Sequence, residues 1–90
     1  MMSRYDIEAD DAVHNHLDIT IGWDRPLGTY FVQVLDPTRD EEEDGHEILW
    51  RGASFSDILA VDDAIALIAP WASIPPDLRA LLILDRIRSV

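Results

Sequence analysis

The 90-residue sequence predicts a single α+β domain, in which a three-stranded antiparallel meander carries two C-terminal helices on one face. Apolar residues alternate with polar ones through residues 16–23, as they do in a half-buried strand, two further short runs are typical of strands, and apolar residues recur at helical spacing after residue 56. The length allows one small core, and an apolar share of 48% excludes a disordered chain despite a formal net charge of −11.

The first 15 residues are polar and acidic with weak periodicity. We therefore expect an N-terminal arm or a short helix over residues 1–15. Nothing in the remaining sequence has the composition of a linker, so a single folded domain is expected to span residues 16–90.

Three strands are expected in sequence. The first begins at His16, and its alternation places four apolar residues on one face: Leu17, Ile19, Ile21 and Trp23. Pro26 and Gly28 supply a turn before the second strand, residues 29–35, whose two largely apolar faces predict a central position. A third strand covers residues 47–51. The short connections favour an antiparallel meander.

Helical periodicity replaces alternation in the last third. Ser54 or Ser56 can cap a first helix that Pro70 ends, and Pro75 and Pro76 open a second helix, because proline is tolerated in a first helical turn. The two expected apolar stripes are Ile58, Val61, Ile65 and Ile68 on the first helix, and Leu78, Leu81, Leu82, Leu84 and Ile87 on the second.

Large aromatic residues are expected mainly in the core, because a small domain needs their apolar area. This expectation applies to Trp23 and Trp50, whereas Trp71, at a proline-rich corner between the helices, fits a core position and an interface equally well.

Charge and composition exclude several classes of function. The 18 acidic residues face seven basic ones, all arginine, and this excess repels nucleic acid and anionic membranes, so direct binding to either is not expected. With no cysteine there is no disulfide, cysteine zinc site or thiol nucleophile. The sequence shows no signal peptide and no apolar stretch near about 18 residues, which predicts a cytoplasmic protein.

Catalytic motifs are not recognisable in the sequence. There is no nucleophile elbow, glycine-rich phosphate loop or HExxH pattern, so we expect neither an enzyme nor a cofactor. Residues 40–45 resemble the start of a calcium loop, but the twelfth position is Arg51 instead of glutamate, which excludes an EF-hand.

A minor alternative is a divalent-metal half-site. His14, His16 and Asp18 alternate and would share one face of an extended strand, and imidazole and carboxylate both ligate divalent ions. The simpler interpretation, which we adopt, is that the three polar side chains line the solvent face of a strand.

Acidity is concentrated in the first half of the chain. Residues 1–45 contain 12 acids and three arginines, a net charge of −9, whereas residues 46–90 contain six acids and four arginines, a net charge of −2. Such charge serves solubility or is used by a partner. Carboxylates two residues apart on a strand lie about 6.5 to 7 Å apart, so rows of them offer a cationic protein regularly spaced negative charge, as DNA does. The residues expected to form this partner-binding surface are Asp18, Asp24, Asp40, Glu41, Glu42, Glu43, Asp44, Asp57, Asp62 and Asp63.

In size, cysteine-free composition, acidity and mixed α+β pattern, the chain resembles the small DNA-mimicking inhibitors of phages and mobile elements, anti-CRISPR proteins among them. The resemblance covers the character of the whole chain and no shared motif, so no functional residue is carried over. It implies a non-enzymatic inhibitor that occupies a basic, nucleic-acid-binding surface of a partner protein, such as a Cas subunit or complex. The alternative is an accessory interaction module that uses its helical face, with Trp71 and Arg79, while its acidity serves solubility alone.

Overall fold

A computed structural model describes residues 3–9 and 16–88 of the chain. In these residues the elements are β1 (Tyr5–Ile7), β2 (Asp18–Asp24), β3 (Thr29–Leu35), β4 (Glu47–Arg51), α1 (Val61–Ile68) and α2 (Leu78–Arg88). The strands form one antiparallel sheet in the order β1-β2-β3-β4. The α+β class is confirmed, but the meander has four strands where the sequence predicted three.

The additional strand is β1, in the segment expected to be an arm or a short helix, and that expectation is wrong for this part of it. Tyr5 pairs with Ile21 of β2, and Ile7, two residues later, is buried in the core. A three-residue strand is too short to show alternation, so pairing with β2 decides its conformation. Residues 1–2 and 10–15 of the expected arm lie outside the described residues.

The sheet has one face covered by both helices and one open face. Along β2 and β3 every second side chain points towards the helices. The register of the two strands places these side chains opposite each other in pairs, such as Ile21 and Val32. Around this face the buried core includes Ile19, Ile21, Trp23, Tyr30, Val32, Val34, Ile58, Val61, Ala64, Ile68, Leu78 and Leu82. The core therefore lies between the two inner strands and the helical layer.

The first helix begins later than the sequence predicts. It starts at Val61, with Ala60 as its N-cap and no side-chain capping bond, so the expected serine cap is wrong. The preceding loop is bound to the start of β3: the Tyr30 amide donates to the Ile58 carbonyl (2.9 Å), and the Ile58 amide donates to Thr29 Oγ1 (2.7 Å). Ile58 is therefore a core residue that belongs to the loop before α1 and not to the helix.

The second helix begins at Leu78, two residues after the proline pair that was expected to open it. Leu78 and Leu82 are buried, but Leu84 and Ile87 are exposed, Ile87 at 62% of its surface. The predicted apolar stripe is therefore wrong in the last part of α2.

The sheet-facing positions of that last part are occupied by polar side chains. Tyr5 donates its hydroxyl proton to Asp85 Oδ2 (2.6 Å), and the Arg86 guanidinium lies 5.3 Å from the centre of the Trp23 ring. Arg86 also lies 6.0 Å from the Tyr30 ring and donates to the Leu59 carbonyl. Asp85 and Arg86 lie three and four residues after Leu82, on the same face of α2 as Leu78 and Leu82. This face of α2 therefore makes apolar contacts in its first part and polar contacts in its last part.

The last strand, β4, lies at the margin of the helical layer. It pairs with β3 alone among the described strands, Leu49 packs against the core, and Arg51 lines a cleft with Ala66 and Leu67 of α1. Its residues are exposed apart from the half-buried Leu49. Trp50 is 53% exposed, so its predicted core position is wrong.

Neither described helix is long and apolar enough to cross a bilayer.

Candidate partner-binding surface

Two of the predicted acidic residues mark the ends of β2 on the open face. Asp18 and Asp24 point away from the helices, and Thr20 and Gly22 lie between them on the same face. Six residues of extended chain separate the two carboxylates by about 20 Å. They therefore do not form a continuous row, and Asp24 also accepts a hydrogen bond from the Leu27 amide through Oδ1 (3.2 Å) in the turn.

The loop between β3 and β4 brings the other early acids to one end of the sheet. At that end Asp18 pairs with Leu35, and Leu35 pairs with Glu47 on the far side. Adjacent strands are about 4.8 Å apart, so Asp18 and Glu47 lie about 10 Å apart at the base of the loop.

This loop is held by hydrogen bonds around Asp36. The Asp36 amide donates to the His46 carbonyl (2.7 Å), which closes the base of the loop. One carboxylate oxygen of Asp36 accepts from the Thr38 amide (3.0 Å), and the other lies 3.5 Å from Arg39 Nε and 3.6 Å from His16 Nε2. The Thr38 hydroxyl also donates to this carboxylate and, with the neighbouring charges, lowers the pKa of Asp36, so the group stays ionised.

Two further side chains hold the interior of the loop. His46 Nδ1 lies 3.0 Å from the Asp36 carbonyl oxygen and 2.9 Å from the Arg39 carbonyl oxygen, a placement that favours the tautomer with a proton on Nδ1. The guanidinium of Arg39 donates to the Asp44 carbonyl (3.2 Å) and packs beside Gly45. The loop conformation is thus fixed by polar contacts that do not involve the carboxylates at its tip.

Those tip carboxylates are all exposed. They belong to Asp40, Glu41, Glu42, Glu43 and Asp44. We call the group formed by these five residues together with Asp18, Asp36, Arg39 and Glu47 the acidic end. It contains eight acids and one arginine, Arg39, a net charge of −7 within the −11 of the whole chain.

The acids predicted in the second half of the chain are located elsewhere. Asp57 accepts a hydrogen bond from the Gly52 amide (3.0 Å), beyond the opposite end of β4. Asp62 on α1 is paired with Arg79 of α2 (2.8 Å), a contact that lowers the pKa of Asp62. Asp63 is exposed on α1, beside a cleft that Arg51 and Asp57 also line. The structure therefore does not join these three residues to the acidic end.

The open face also carries an apolar groove that the sequence reasoning did not anticipate. Its floor includes Phe31 and Gln33 of β3, with Trp50 of β4 on one side and Arg4 and Leu27 at its margins. Phe31 alternates with the core residues Tyr30 and Val32 of β3, and this two-faced apolar pattern of β3 was the available signal.

The structure describes two members of the predicted metal half-site, His16 and Asp18. His16 lies near Asp36, as given above, and among the described residues no three His, Asp or Glu side chains are grouped to hold a metal ion. His14, the remaining member of the predicted half-site, lies outside the described residues.

Comparisons with protein families, with curated proteins and with solved structures gave no match to this chain.

Proposed function

We propose that the protein is a non-enzymatic acidic binding module that occupies a basic, nucleic-acid-binding surface of a partner protein, and so acts as a DNA-mimic inhibitor. The observation that carries the proposal is the acidic end, where eight carboxylates and one arginine lie on or beside an ordered hairpin loop. In its most specific form the proposal is an anti-CRISPR protein, with a Cas subunit or complex as the partner.

An ordered loop is better suited to this role than a flexible acidic tail. The contacts of Asp36, Arg39 and His46 fix the backbone, so less conformational entropy is lost when the tip carboxylates bind. A basic groove that neutralises phosphates meets the same sign of charge at the acidic end, which steers association and makes it sensitive to salt.

The proposed contact is restricted to the acidic end. Asp24 is about 20 Å from Asp18 along β2. Asp57 and Asp62 already accept hydrogen bonds from Gly52 and Arg79. We therefore expect neutralisation of the loop to weaken binding much more than neutralisation of acids on the helical layer.

A pull-down with DNA competition tests the proposal. The immobilised protein is exposed to bacterial lysate, and bound proteins are eluted first with duplex DNA and then with salt raised from about 0.1 M to 0.5 M, which halves the Debye length. A mimic competes with DNA for one surface, so DNA-binding proteins should be captured at low salt and released by duplex DNA. Captured proteins that stay bound while they also bind DNA would contradict the proposal.

Two variants of equal net charge locate the contact. Glu41→Gln with Glu42→Gln removes two exposed loop charges, and Asp63→Asn with Asp77→Asn removes two exposed charges before or on the helices. For the captured protein, the loop variant should lose about tenfold or more in affinity and the helix variant less than about threefold, because only the former removes contacts at the interface. Equal losses would indicate a general charge effect and not a docking surface.

The helical face is the second candidate contact surface. Leu84 and Ile87 are exposed on α2, which favours an apolar partner there, although Arg79 is engaged with Asp62 and Trp71 is half-buried against the core. This alternative predicts capture that survives 0.5 M salt and is lost in Ile87→Ser, while the loop variant binds as the wild type does.

A further inference from the structure

The register of the sheet arranges the side chains of the open face in rows across the strands. One row crosses all four strands and contains Asp6, Thr20, Gln33 and Trp50. Phe31 lies in the next row, opposite Gly22 of β2. A Cβ atom on Gly22 would lie 2.7 Å from Cζ of Phe31, so the Phe31 ring lies over Gly22 and points away from Trp50. The missing side chain at Gly22 thus leaves the space between the two aromatic rings open.

That space is the apolar groove described above. Its volume is about 380 Å³, and it is lined by Trp50 and Phe31, which lie on adjacent strands. Among the described residues, neither ring forms an aromatic pair or a cation–π contact, and the side-chain amide of Gln33 at the groove floor has no hydrogen-bond partner. The groove therefore combines flat aromatic surface with an unused hydrogen-bond acceptor.

The charges around the groove favour a cationic occupant. Asp24 lines the groove, and the strands present Asp6, Asp18 and Glu47 to the same face. Arg4, which also lines the groove, offsets one of these four negative charges. A cation placed against the groove thus meets net negative charge, whereas an anion is repelled.

An arginine side chain suits this site better than a lysine side chain. The guanidinium group is planar, weakly hydrated and stacks on aromatic faces, whereas the ammonium group is compact and strongly hydrated. The protein shows the same pairing on the other face of the sheet, where the Arg86 guanidinium lies 5.3 Å from the centre of the Trp23 ring. Trp50 offers a second indole to such a group, with 53% of its surface exposed.

We propose that the groove binds an arginine side chain of the partner protein, with the guanidinium stacked on Trp50 and donating to the side-chain oxygen of Gln33. The source of that arginine is the basic partner of the proposed function, on which this inference rests. A second cleft of the open face shares Arg4 and Gln33 with the groove and extends to Asp18 and Leu35. Because Asp18 belongs to the acidic end, a partner that covers the acidic end also lies over the path to Trp50.

Fluorescence anisotropy of labelled hexapeptides tests the proposal. The two probes alternate arginine with glycine or lysine with glycine, so they carry equal positive charge and differ only in the cationic group. The wild type should bind the arginine peptide at least about threefold more tightly than the lysine peptide, because guanidinium stacks on indole better than ammonium does. Equal affinities for the two peptides would overturn the proposal.

Two variants of unchanged net charge locate the binding site. Trp50→Leu keeps an apolar side chain but removes the ring, and Phe55→Leu removes an aromatic ring that is 77% exposed and does not line the groove. Trp50→Leu should weaken binding of the arginine peptide about fivefold or more and abolish the preference over lysine, whereas Phe55→Leu should bind as the wild type does. Equal losses in the two variants would contradict the assignment of the groove.

A variant that gains affinity guards against loss of the fold. Gln33→Glu places a carboxylate at the groove floor and should tighten binding of the arginine peptide about fivefold, because a charged acceptor binds guanidinium more strongly than a neutral one. Ala66→Glu adds the same charge at an exposed position of α1 and should change the affinity by less than about twofold. Binding by Gln33→Glu that is no tighter than binding by Ala66→Glu would overturn the proposal.

The protein captured in the pull-down separates this proposal from the proposed function. Its binding should weaken about fivefold with Trp50→Leu, since the arginine contact is lost. Unchanged binding of that protein would overturn the groove proposal and leave the proposed function intact. Absence of any capture that duplex DNA reverses, together with an arginine preference that depends on Trp50, would contradict the proposed function alone.

Discussion

Glycines 28 and 52 both adopt positive φ, but their surroundings differ. Gly28 has φ +61° in the turn between β2 and β3, and a Cβ atom there would meet no atom within 4 Å. Gly52 has φ +89° at the end of β4, and a Cβ atom there would lie 2.2 Å from the Tyr30 carbonyl oxygen. The first position requires only a backbone conformation, whereas the second also requires the absence of a side chain.

We predict that Gly52→Ala is much more destabilising than Gly28→Ala. Gly28→Ala should cost about 1 kcal/mol, the usual penalty for a left-handed residue with a Cβ atom. Gly52→Ala should cost about 3 kcal/mol or more, because backbone strain adds to a clash with backbone atoms that cannot rotate away. Urea unfolding of the two variants checks this, and similar midpoints would show that β4 moves away from β3 without cost.

For single residues, the sequence predicted positions that belong to a repeating apolar pattern. It did not predict positions that depend on a close contact between distant parts of the chain. Alternation identified Ile19, Ile21 and Trp23 correctly as one buried face. The need for glycine at residue 52 depends on the Tyr30 carbonyl, which is 22 positions away in the chain, and no local pattern reports such a contact. Trp50 was misplaced for the same kind of reason, since its pairing with Gln33 of β3 places it on the open face of the sheet.

Helix α2 packs on the sheet through apolar contacts in its first part and polar contacts in its last part. Its first part is held by Leu78 and Leu82, and its last part by Arg86, which lies against the Trp23 and Tyr30 rings. Those two rings are in edge contact, with centroids 4.9 Å apart. Arg86 therefore covers an aromatic pair at the margin of the core with its charged group and its alkyl stem.

Replacement of Arg86 should loosen the last part of α2. Arg86→Met keeps much of the stem and should cost about 1 to 2 kcal/mol through loss of the cation–π contact and the bond to the Leu59 carbonyl. Arg88→Met changes the net charge equally but removes neither of these two contacts, so it should stay within about 0.5 kcal/mol. Chemical denaturation gives both values, and equal costs would assign the effect to charge alone.

Strand positions were predicted better than helix starts for a physical reason. The three strands expected at residues 16–23, 29–35 and 47–51 correspond closely to β2, β3 and β4, because turn residues separate them. Ile58 and Val61 are spaced as they would be in one helix, but the Ile58 amide donates a hydrogen bond to Thr29 of β3, so Ile58 belongs to the loop before α1. A tertiary hydrogen bond thus overrides a local periodicity there.

The whole molecule is closed by a contact between its first strand and its last helix. Tyr5 donates to Asp85, 80 positions later, and this hydrogen bond, with burial and the negative charge of Asp85, raises the pKa of Tyr5 to about 12. The ordinary value is 10.0, so between these values the unfolded chain has lost a proton that the folded protein still holds. Stability contributed by this contact is complete below about pH 10 and falls as the pH rises towards 12.

Alkaline titration should therefore distinguish Asp85→Asn from the wild type. In the variant the pKa of Tyr5 should fall towards its ordinary value, since the charged acceptor is gone, and the loss of stability above about pH 10 should become shallower. Phenolate absorbance and urea midpoints measured on the same samples report both effects. Burial also raises the pKa of Tyr30, so Tyr5→Phe serves to isolate that second contribution. Superimposable titrations of variant and wild type would contradict the prediction.

The distribution of charge over the molecule was predictable only in part. Many acids of the first half of the chain do lie together, because the hairpin between β3 and β4 places the acidic loop beside Asp18. The strand β1 was missed, and the acids of α1 lie apart from the loop, where Asp62 is paired with Arg79. Which acids become neighbours depends on strand order and helix direction, and these are properties of the assembled sheet.

The attachment of β1 also has a consequence for how the protein is made. The β2–β3 hairpin and then β4 can assemble as each is synthesised, since every strand pairs with the next. β1 can also pair with β2 early, but its contacts with the helical layer must wait: the Glu8 carbonyl accepts from the Ser73 amide (2.9 Å), Ala9 bridges to Ala72, and Tyr5 donates to Asp85. Until α2 has emerged, β1 is therefore held by β2 alone.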